Sequence, residues 1–549
     1  MNPKNILIGI LAGLLFGTNA FAQITERPRP KEWDNLVPGA RFIDRFLSMP
    51  QGQLSTDVWG SKNVLPRYVD NGIEDAGRSY WGGNILHEAD SLYHLFVCGW
   101  PENSPKGHMF WPNSTVYHAV SYNSIGPFAI KDTIGKGHNP EIFHTRDGYY
   151  VLYVIDGYYK STSVNGPWTY GKFDFDRRDR RIIEGLSNLT FARREDGSYL
   201  MVCRGGGIWI SQTGLSPYNQ ITDKRVYPPV EGEFEDPVVW RDSVQYHLIV
   251  NDWLGRIAFY LRSKDGVNWV TDPGEAYAPG IAVHKNGHRE EWFKYERPKV
   301  LQDEYGRAIQ MNFAVIDTLK HEDLPNDHHS SKNISIPLNP GLLIEMLNDK
   351  PISKNTKTIR VKVKAEPCFD PQTDMDIASF RFGASQEVNF GRGSRIISIQ
   401  KDGKDLILVF NAKNSGITAK EFAPKLIGRK NSGELLFGYT RLPGVEYNEA
   451  ILSARKPVFH QTISGTILKI TIENFGQSAS PNAQLQLVCL QNGKEINVGR
   501  IPIPTLQPYA RTQVLLNSSV VFEKENGYDF ILRIISGKTE SEYRFTEKF

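Results

Sequence analysis

Short runs in which apolar and polar residues alternate recur from about residue 80 to the end of the chain, broken by turn-forming Asp, Gly, Ser and Pro. Five of them share a layout: "GGNILHEADSLYHLFVC" from Gly82, "HNPEIFHTRDGYYVLYV" from His138, "SNLTFARREDGSYLMVC" from Ser187, "EDPVVWRDSVQYHLIVN" from Glu235 and "ERPKVLQDEYGRAIQMNF" from Glu296. Each reads as a strand, a turn and a second strand of period two, the signature of a hairpin. A second motif trails four of them, "SYNSIGPF" from Ser121, "STSVNGPW" from Ser161, "SQTGLSPY" from Ser211 and "RSKDGVNW" from Arg262, ending in an aromatic suited to pack between neighbouring sheets. Aligned on Asn84, Asn139, Asn188, Asp236 and Arg297, the repeats are spaced by 55, 49, 48 and 61 residues. Periods near fifty with strands throughout predict propeller blades. The fixed order of the two motifs favours that over a β-solenoid or a pair of sandwiches.

The expected fold is therefore all-β: a five-bladed β-propeller over residues 70–345, preceded by an N-terminal segment, 23–69. The fifth blade is expected to close the ring with Ser331 to Leu338 and strand material from before residue 80. Two β-sandwich modules follow, 346–455 and 456–549, because "TIRVKVKAEP" and "GKDLILVFNAK" alternate as sandwich strands do.

Residues 1–22 break the pattern. Lys4 precedes an apolar run from Ile6 to Phe16 that closes on Ala20, Phe21 and Ala22, which reads as a secretory signal peptide and implies export to the periplasm or beyond the cell. That run is too short to span a bilayer and no later one is apolar enough, so no membrane span is expected. The 64 basic and 61 acidic residues nearly balance, which argues against nucleic acid as a partner. Four cysteines (Cys98, Cys203, Cys368, Cys489) are too few for a disulfide framework.

In a propeller the first strand of every blade lines the central channel, so equivalent positions converge. Here they carry Gly83-Asn84, His138-Asn139, Ser187-Asn188, Glu235-Asp236 and Glu296-Arg297. Such a ring of polar groups reads as a pocket, although Asn or Asp before Pro is also a good turn former. Tyr80, Trp81, Trp111, Trp253, Trp292 and Tyr295 lie close in sequence, and flat rings beside carboxylates and amides suit a sugar. Asp236, Glu296 and Glu235 are the candidate catalytic residues. Asn84, His138, Asn139, Asn188, Arg297, Trp81 and Trp253 are the candidate substrate-binding residues. Strand alternation sets Asp236 toward the channel and Glu235 toward a neighbouring blade or an arginine. No metal-ligand spacing is present among the histidines, His138, His288, His328 and His329 included.

The E-D-P blade start and the repeated D-G-x-Y hairpins resemble the five-bladed glycoside hydrolases of families 43 and 117 over residues of about 70 to 340. The resemblance implies an exo-acting, inverting hydrolase of a polysaccharide-derived oligosaccharide that needs no cofactor, with room for a divalent ion in the channel. It places Asp236 as the orienting carboxylate and Glu296 as proton donor, with one of His138, His288, His328 and His329 as a family-117-like alternative. The first blade departs from the family pattern: Asn84 stands where a base Asp is expected, leaving Glu74, Asp75 and Glu102 as substitutes, and Glu184 or Asp252 as further candidates. A rival reading is therefore a carbohydrate-binding propeller without catalysis, and a third is a scaffold for protein partners. Residues from Thr462 onward resemble a CARDB-type immunoglobulin-like module, which implies an accessory role.

Overall fold

A computed structural model of the chain describes residues 24–55, 64–215, 217–326, 331–537 and 539–549. The expected signal peptide and His328 and His329 lie outside the described residues. Among these, strands dominate, and the one α-helix is the short Ser385–Asn389. No helix among them is long and apolar enough to cross a membrane.

Five sheets, antiparallel but for one strand of the third, follow one another from Arg78 to Pro337. Their first strands are Arg78–His87, Glu141–His144, Thr190–Arg193, Phe234–Arg241 and Lys294–Gln302. The first, fourth and fifth of these strands are buried along most of their length on both faces, polar channel residues included. The first packs on the second, the third on the fourth, the fourth on the fifth and the fifth back on the first. The second joins the third where the Phe191 N–H donates to Glu141 Oε1 over 2.9 Å. The arrangement is propeller-like.

Large side chains fill the wedges between sheets. Val238, Trp240 and Tyr260 of the fourth sheet meet Met311, Phe313 and Ile334 of the fifth, and Leu200, Val202 and Ile208 of the third meet Leu248 and Val250 of the fourth. Burying each such side chain contributes about 1.5–3 kcal/mol.

The first, second and fourth sheets have four strands each, and the other two differ. The third gains Phe175–Asp176, parallel to Tyr218–Gln220, and the fifth has three strands, ending with Ser331–Pro337. The chain ahead of residue 80 runs beside that last strand. Ile73 bridges Asn333 and Phe46 bridges Leu338. Between them Asn71 acts as a strand residue through its side chain, accepting from Ser335 N–H at 2.8 Å and donating to Ser335 C=O at 3.1 Å. This satisfies backbone groups that a true fourth strand would pair.

Beyond residue 340, the sheet holding Ile344–Met346, Thr358–Val363, Asp405–Asn411 and Ile396–Asp402 shares a core with that of Arg381–Gly383, Lys425–Arg429 and Leu435–Tyr439. A second pair of sheets, starting at Leu452–Ala454 and ending at Thr539–Lys548, shares another. Buried cations fasten both pairs to what precedes them. Arg178, fully buried, donates to Ser453 C=O at 2.8 Å and pairs with Glu473. Lys425 donates to Gly39 C=O and Asn389 Oδ1, each at 2.8 Å.

Candidate functional site

The backbone gives the register of the channel positions. Asn139, Asn188, Asp236 and Arg297 all adopt left-handed conformations, with φ of 54°, 50°, 57° and 51°. In the first sheet the residue that does so at the matching place is Gly82, at 63°. The strand ladders skip at the same point in three sheets, between Trp81 and Asn84, Glu235 and Val238, and Glu296 and Lys299. Pro140, Pro237 and Pro298 follow the left-handed residues, and proline has no N–H to give the ladder. The first strands of the first, fourth and fifth sheets thus enter the channel through a bulge, which re-aims their side chains. Gly82, Asn139, Asn188, Asp236 and Arg297 line one void of about 10 Å³, room for about one water.

Asn84 is not part of this ring, which corrects the alignment drawn from sequence. It lies two residues deeper, level with Glu141, Thr190, Val238 and Lys299. Its amide donates to Ile142 C=O at 2.9 Å and accepts from Ile142 N–H at 2.8 Å, joining the first sheet to the second. Glu141, paired with Lys299, does the same between second and third, and Thr190 Oγ1 accepts from Val239 N–H between third and fourth. This layer is a polar clasp between sheets. Its far side lines a cavity of about 960 Å³ at the opposite end of the channel. The first sheet therefore contributes no side chain at the position of Asp236. Its two glycines supply the kink, and a polar-residue alignment slides past them to the next amide.

The chemistry collects at the fourth and fifth sheets. Asp236 pairs with Arg297, whose backbone N–H also donates to Asp236 Oδ2 at 3.2 Å. Arg297 Nη2 lies 3.4 Å from Glu235 Oε1. Asn188 Nδ2 donates to Glu235 Oε1 at 2.8 Å and to Asp236 Oδ1 at 3.2 Å, so one amide spans both carboxyls. Asn139 Nδ2 donates in turn to Asn188 Oδ1 at 3.0 Å. Glu296 is gripped from the other side by Lys320 and by Lys294 Nζ at 3.6 Å. Both Glu235 and Asp236 reach the cluster because the bulge breaks the two-sided alternation expected of a regular strand.

Proton affinities diverge across the three carboxyls. Burial pushes Asp236 up to about 6 against the pull of Arg297, with Glu235 and Glu296 adding to the rise. Burial also works against ionisation of Glu296, but Lys320, Lys294 and Arg297 outweigh it and hold the group below the ordinary range. Glu235 is held low in the same way, by Arg297 and Lys320. Glu296, expected as the proton donor, is thus held in its charged form, as Glu235 is. Opposed shifts of this kind separate acid from base in a site built from carboxyls.

The aromatic and histidine candidates fare differently. Trp81 is fully buried, with the Lys320 ammonium 4.9 Å from its ring centre and His108 edge-on at 4.5 Å, so it offers no open face to a sugar. Trp253 is half-buried beside Glu296, with Lys294 Nζ 4.7 Å from its ring centre. His138 is buried behind the ring, its Nδ1 2.9 Å from Ser114 Oγ and its ring against Trp111. Burial and then Arg297 push its pKa well down, which leaves it neutral. His288 meets Pro66 C=O at 2.7 Å, in the N-terminal segment. The remaining acidic candidates are engaged elsewhere: Glu74 with Arg67 and Lys332, Asp75 with Tyr80, Glu102 with Ser79, Glu184 with Arg225 and Asp252 with Arg27. Tyr80, Trp292 and Tyr295 belong to the core.

Sequence reasoning missed Lys294, Lys320, Arg204 and Tyr277. Lys294 was within reach, since it stands two residues before Glu296 on one strand. Lys320 comes from the loop after Ala308–Ile316, and Arg204 Nε reaches to 3.8 Å from Glu235 Oε1 out of a glycine-rich turn. Tyr277 lines the wall beside Glu296, its hydroxyl buried without a hydrogen-bond partner. Among the described residues, no group of three or more His, Cys, Asp or Glu is placed to hold a metal ion.

No protein-family model matches the chain, and no curated protein matches it. Among solved structures it is similar to a thermostable family-43 glycoside hydrolase, at 12% identity over 53% of this chain and 94% of that chain, with a TM-score of 0.30. It is also similar to an endo-arabinase from Bacteroides thetaiotaomicron, at 13% identity over 48% and 94% of the two chains with a TM-score of 0.30. A third is an alpha-L-arabinofuranosidase from Lactobacillus brevis, at 13% identity over 47% and 90% with a TM-score of 0.33.

Proposed function

We propose that this chain is an exported glycoside hydrolase, a five-bladed propeller carrying two accessory sandwich modules, which removes terminal sugars from an oligosaccharide at the channel end bearing Glu235, Asp236 and Glu296. The observation that carries the reading is the split among these carboxyls, with Asp236 raised to about 6 and Glu296 held low. In hydrolysis of a glycosidic bond one carboxyl protonates the leaving oxygen while another takes the proton of the attacking water. Glu296, ionised between two lysines, suits the base. Asp236 stores the proton, and Glu235, which shares Asn188 and Arg297 with it and is the least enclosed member, meets the sugar, takes that proton and gives it to the leaving oxygen, while the proton of the attacking water goes to Glu296. Arg297 is a positioning residue that holds Glu235 and Asp236 together. Inversion of the anomeric centre is part of the proposal.

The test is release of monosaccharide from a panel of arabinan, xylan, galactan and pectic oligosaccharides. Glu296→Gln and Asp236→Asn are each expected to lower kcat at least 100-fold with binding retained, in keeping with the usual worth of acid–base groups. Parent rates in both variants on a cleaved substrate would remove these assignments.

One observation favours a second reading, binding without catalysis: Gly82 leaves the first blade without a carboxyl at the ring position. Affinity for an oligosaccharide that is never cleaved would select it.

A further inference from the structure

The carboxyls of this site lie deep, and two of its cations, Lys320 and Arg204, lie outermost. The Asp236 side chain is 0% exposed, that of Glu296 1% and that of Glu235 14%, while Lys320 is 26% and Arg204 40% exposed. Four cations, Arg204, Lys294, Arg297 and Lys320, surround three carboxyls, so the cluster keeps an unbalanced positive charge. Arg297 is spent on Asp236 and Glu235, and Lys320 and Lys294 on Glu296. Arg204 is not spent in this way: its Nε is buried without a hydrogen-bond partner, and Glu235 at 3.8 Å stands beyond hydrogen-bond range. His108 and His138, packed behind the cluster, are pushed toward neutrality by burial and then by these same cations, which accords with a positive local field.

Resting on the glycosidase reading, we infer that the substrate carries an acidic group, a uronate carboxylate or a sulfate ester, seated at the mouth between Arg204 and Lys320. A neutral sugar leaves the extra charge and the Arg204 Nε donor unanswered. An acidic group answers both, because a guanidinium fork grips planar or tetrahedral oxyanions through two parallel N–H donors and an ammonium adds a point charge. Arg204 makes no hydrogen bond to the carboxyl trio, so an anion held by its guanidinium leaves those ion pairs in place, while Lys320 adds its charge without leaving Glu296. The extra charge also draws the acidic sugar to the site from a distance, an effect that salt weakens.

The test uses the full chain and paired oligosaccharides: galacturonate- or glucuronate-ended ones against their carboxyl-reduced forms, and sulfated galacto-oligosaccharides against their desulfated forms. Calorimetry at low salt is expected to show one acidic member bound at least about 10-fold more tightly than its neutral twin, the worth of one charge-assisted contact. Whether the uronate or the sulfate pair shows the preference identifies the group. Arg204→Gln and Lys320→Gln, verified as folded by unchanged Tm, are each expected to shrink that ratio toward one, and Arg204→Lys to restore part of it. Neutral twins bound equally well, or a preference that survives both substitutions, would overturn the inference; if such neutral sugars are cleaved, the glycosidase reading stands without it. Failure of every member to bind or be cleaved would overturn both.

Discussion

Gly82 and Gly83 are neighbours in one strand, and the structure assigns them very different tolerances. Gly82 has φ of 63°, and a Cβ there would meet Asn139 Cα and Oδ1 at 3.6 Å and Arg297 Cβ at 3.7 Å, ordinary van der Waals distances. Four equivalent residues already carry side chains at φ between 50° and 57°. Asn is among the residues that enter this region most readily, so Gly82→Asn is expected to cost under about 1 kcal/mol. Gly83 has φ of 105°, and its Cβ would overlap the Phe96 carbonyl oxygen, with the carbonyl carbon 2.9 Å and Val97 Cα 3.0 Å away. Phe96 is held by pairing with Asn84 and His118 on its two sides, so it cannot retreat. Strained backbone of about 1–3 kcal/mol and overpacking of about 1–3 kcal/mol together give Gly83→Ala a cost of about 2–6 kcal/mol. Urea unfolding followed by tryptophan fluorescence measures both variants. A Gly83→Ala protein as stable as the parent, or a Gly82→Asn protein as damaged as Gly83→Ala, would show that the first sheet enters the channel in another register and that Asn84 belongs to the ring after all.

Three further outcomes are expected. Asn71→Ala removes both bonds to Ser335 and should cost about 1–3 kcal/mol, read as a lower urea midpoint. Arg178→Met strands Glu473 and the Ser453 carbonyl in the junction with the last pair of sheets; it should cost about 3–5 kcal/mol and expose the chain near residue 453 to limited proteolysis. Burial first, and then Arg45 and Arg262, pull Lys425 down to about 7 from 10.5. Between those values the unfolded chain binds the proton more tightly, so stability rises with pH by up to about 1.4 kcal/mol per unit and is lost as pH falls toward 7. Lys425→Met should flatten that slope in urea titrations at pH 7, 8 and 9; an unchanged slope would place the titrating group elsewhere.

The all-β character and the hairpins were legible because strand alternation and Asp-Gly turns are local signals, readable within some twenty residues. The gathering of Asn139, Asn188, Asp236 and Arg297 around one void was legible for the same reason, since a repeat brings its own positions into line. Asn84 was misplaced because glycine makes a bulge without leaving a polar mark, and matching by polarity moved to the next amide. Trp81 read as a stacking platform because sequence gives the ring but not Lys320 lying over it. Lys320 itself, which fixes the charge of Glu296, approaches from a loop whose position depends on the whole fifth sheet. Proton affinities were out of reach of the sequence, because they follow from burial and from cations contributed by separate elements.

The Asn71 bonds to Ser335 join residues 264 positions apart. At ribosomal speeds the early partner waits on the order of tens of seconds for the late one to be made. Contacts so distant in the chain also slow folding, because the entropy of closing the long loop is spent before the contact repays it. Until they form, Ser331–Pro337 is a strand with a bare edge, a template for any other extended chain nearby. A protein shortened to begin after residue 73 would carry that edge permanently, and its failure would appear as self-association rather than as loss of the remaining sheets.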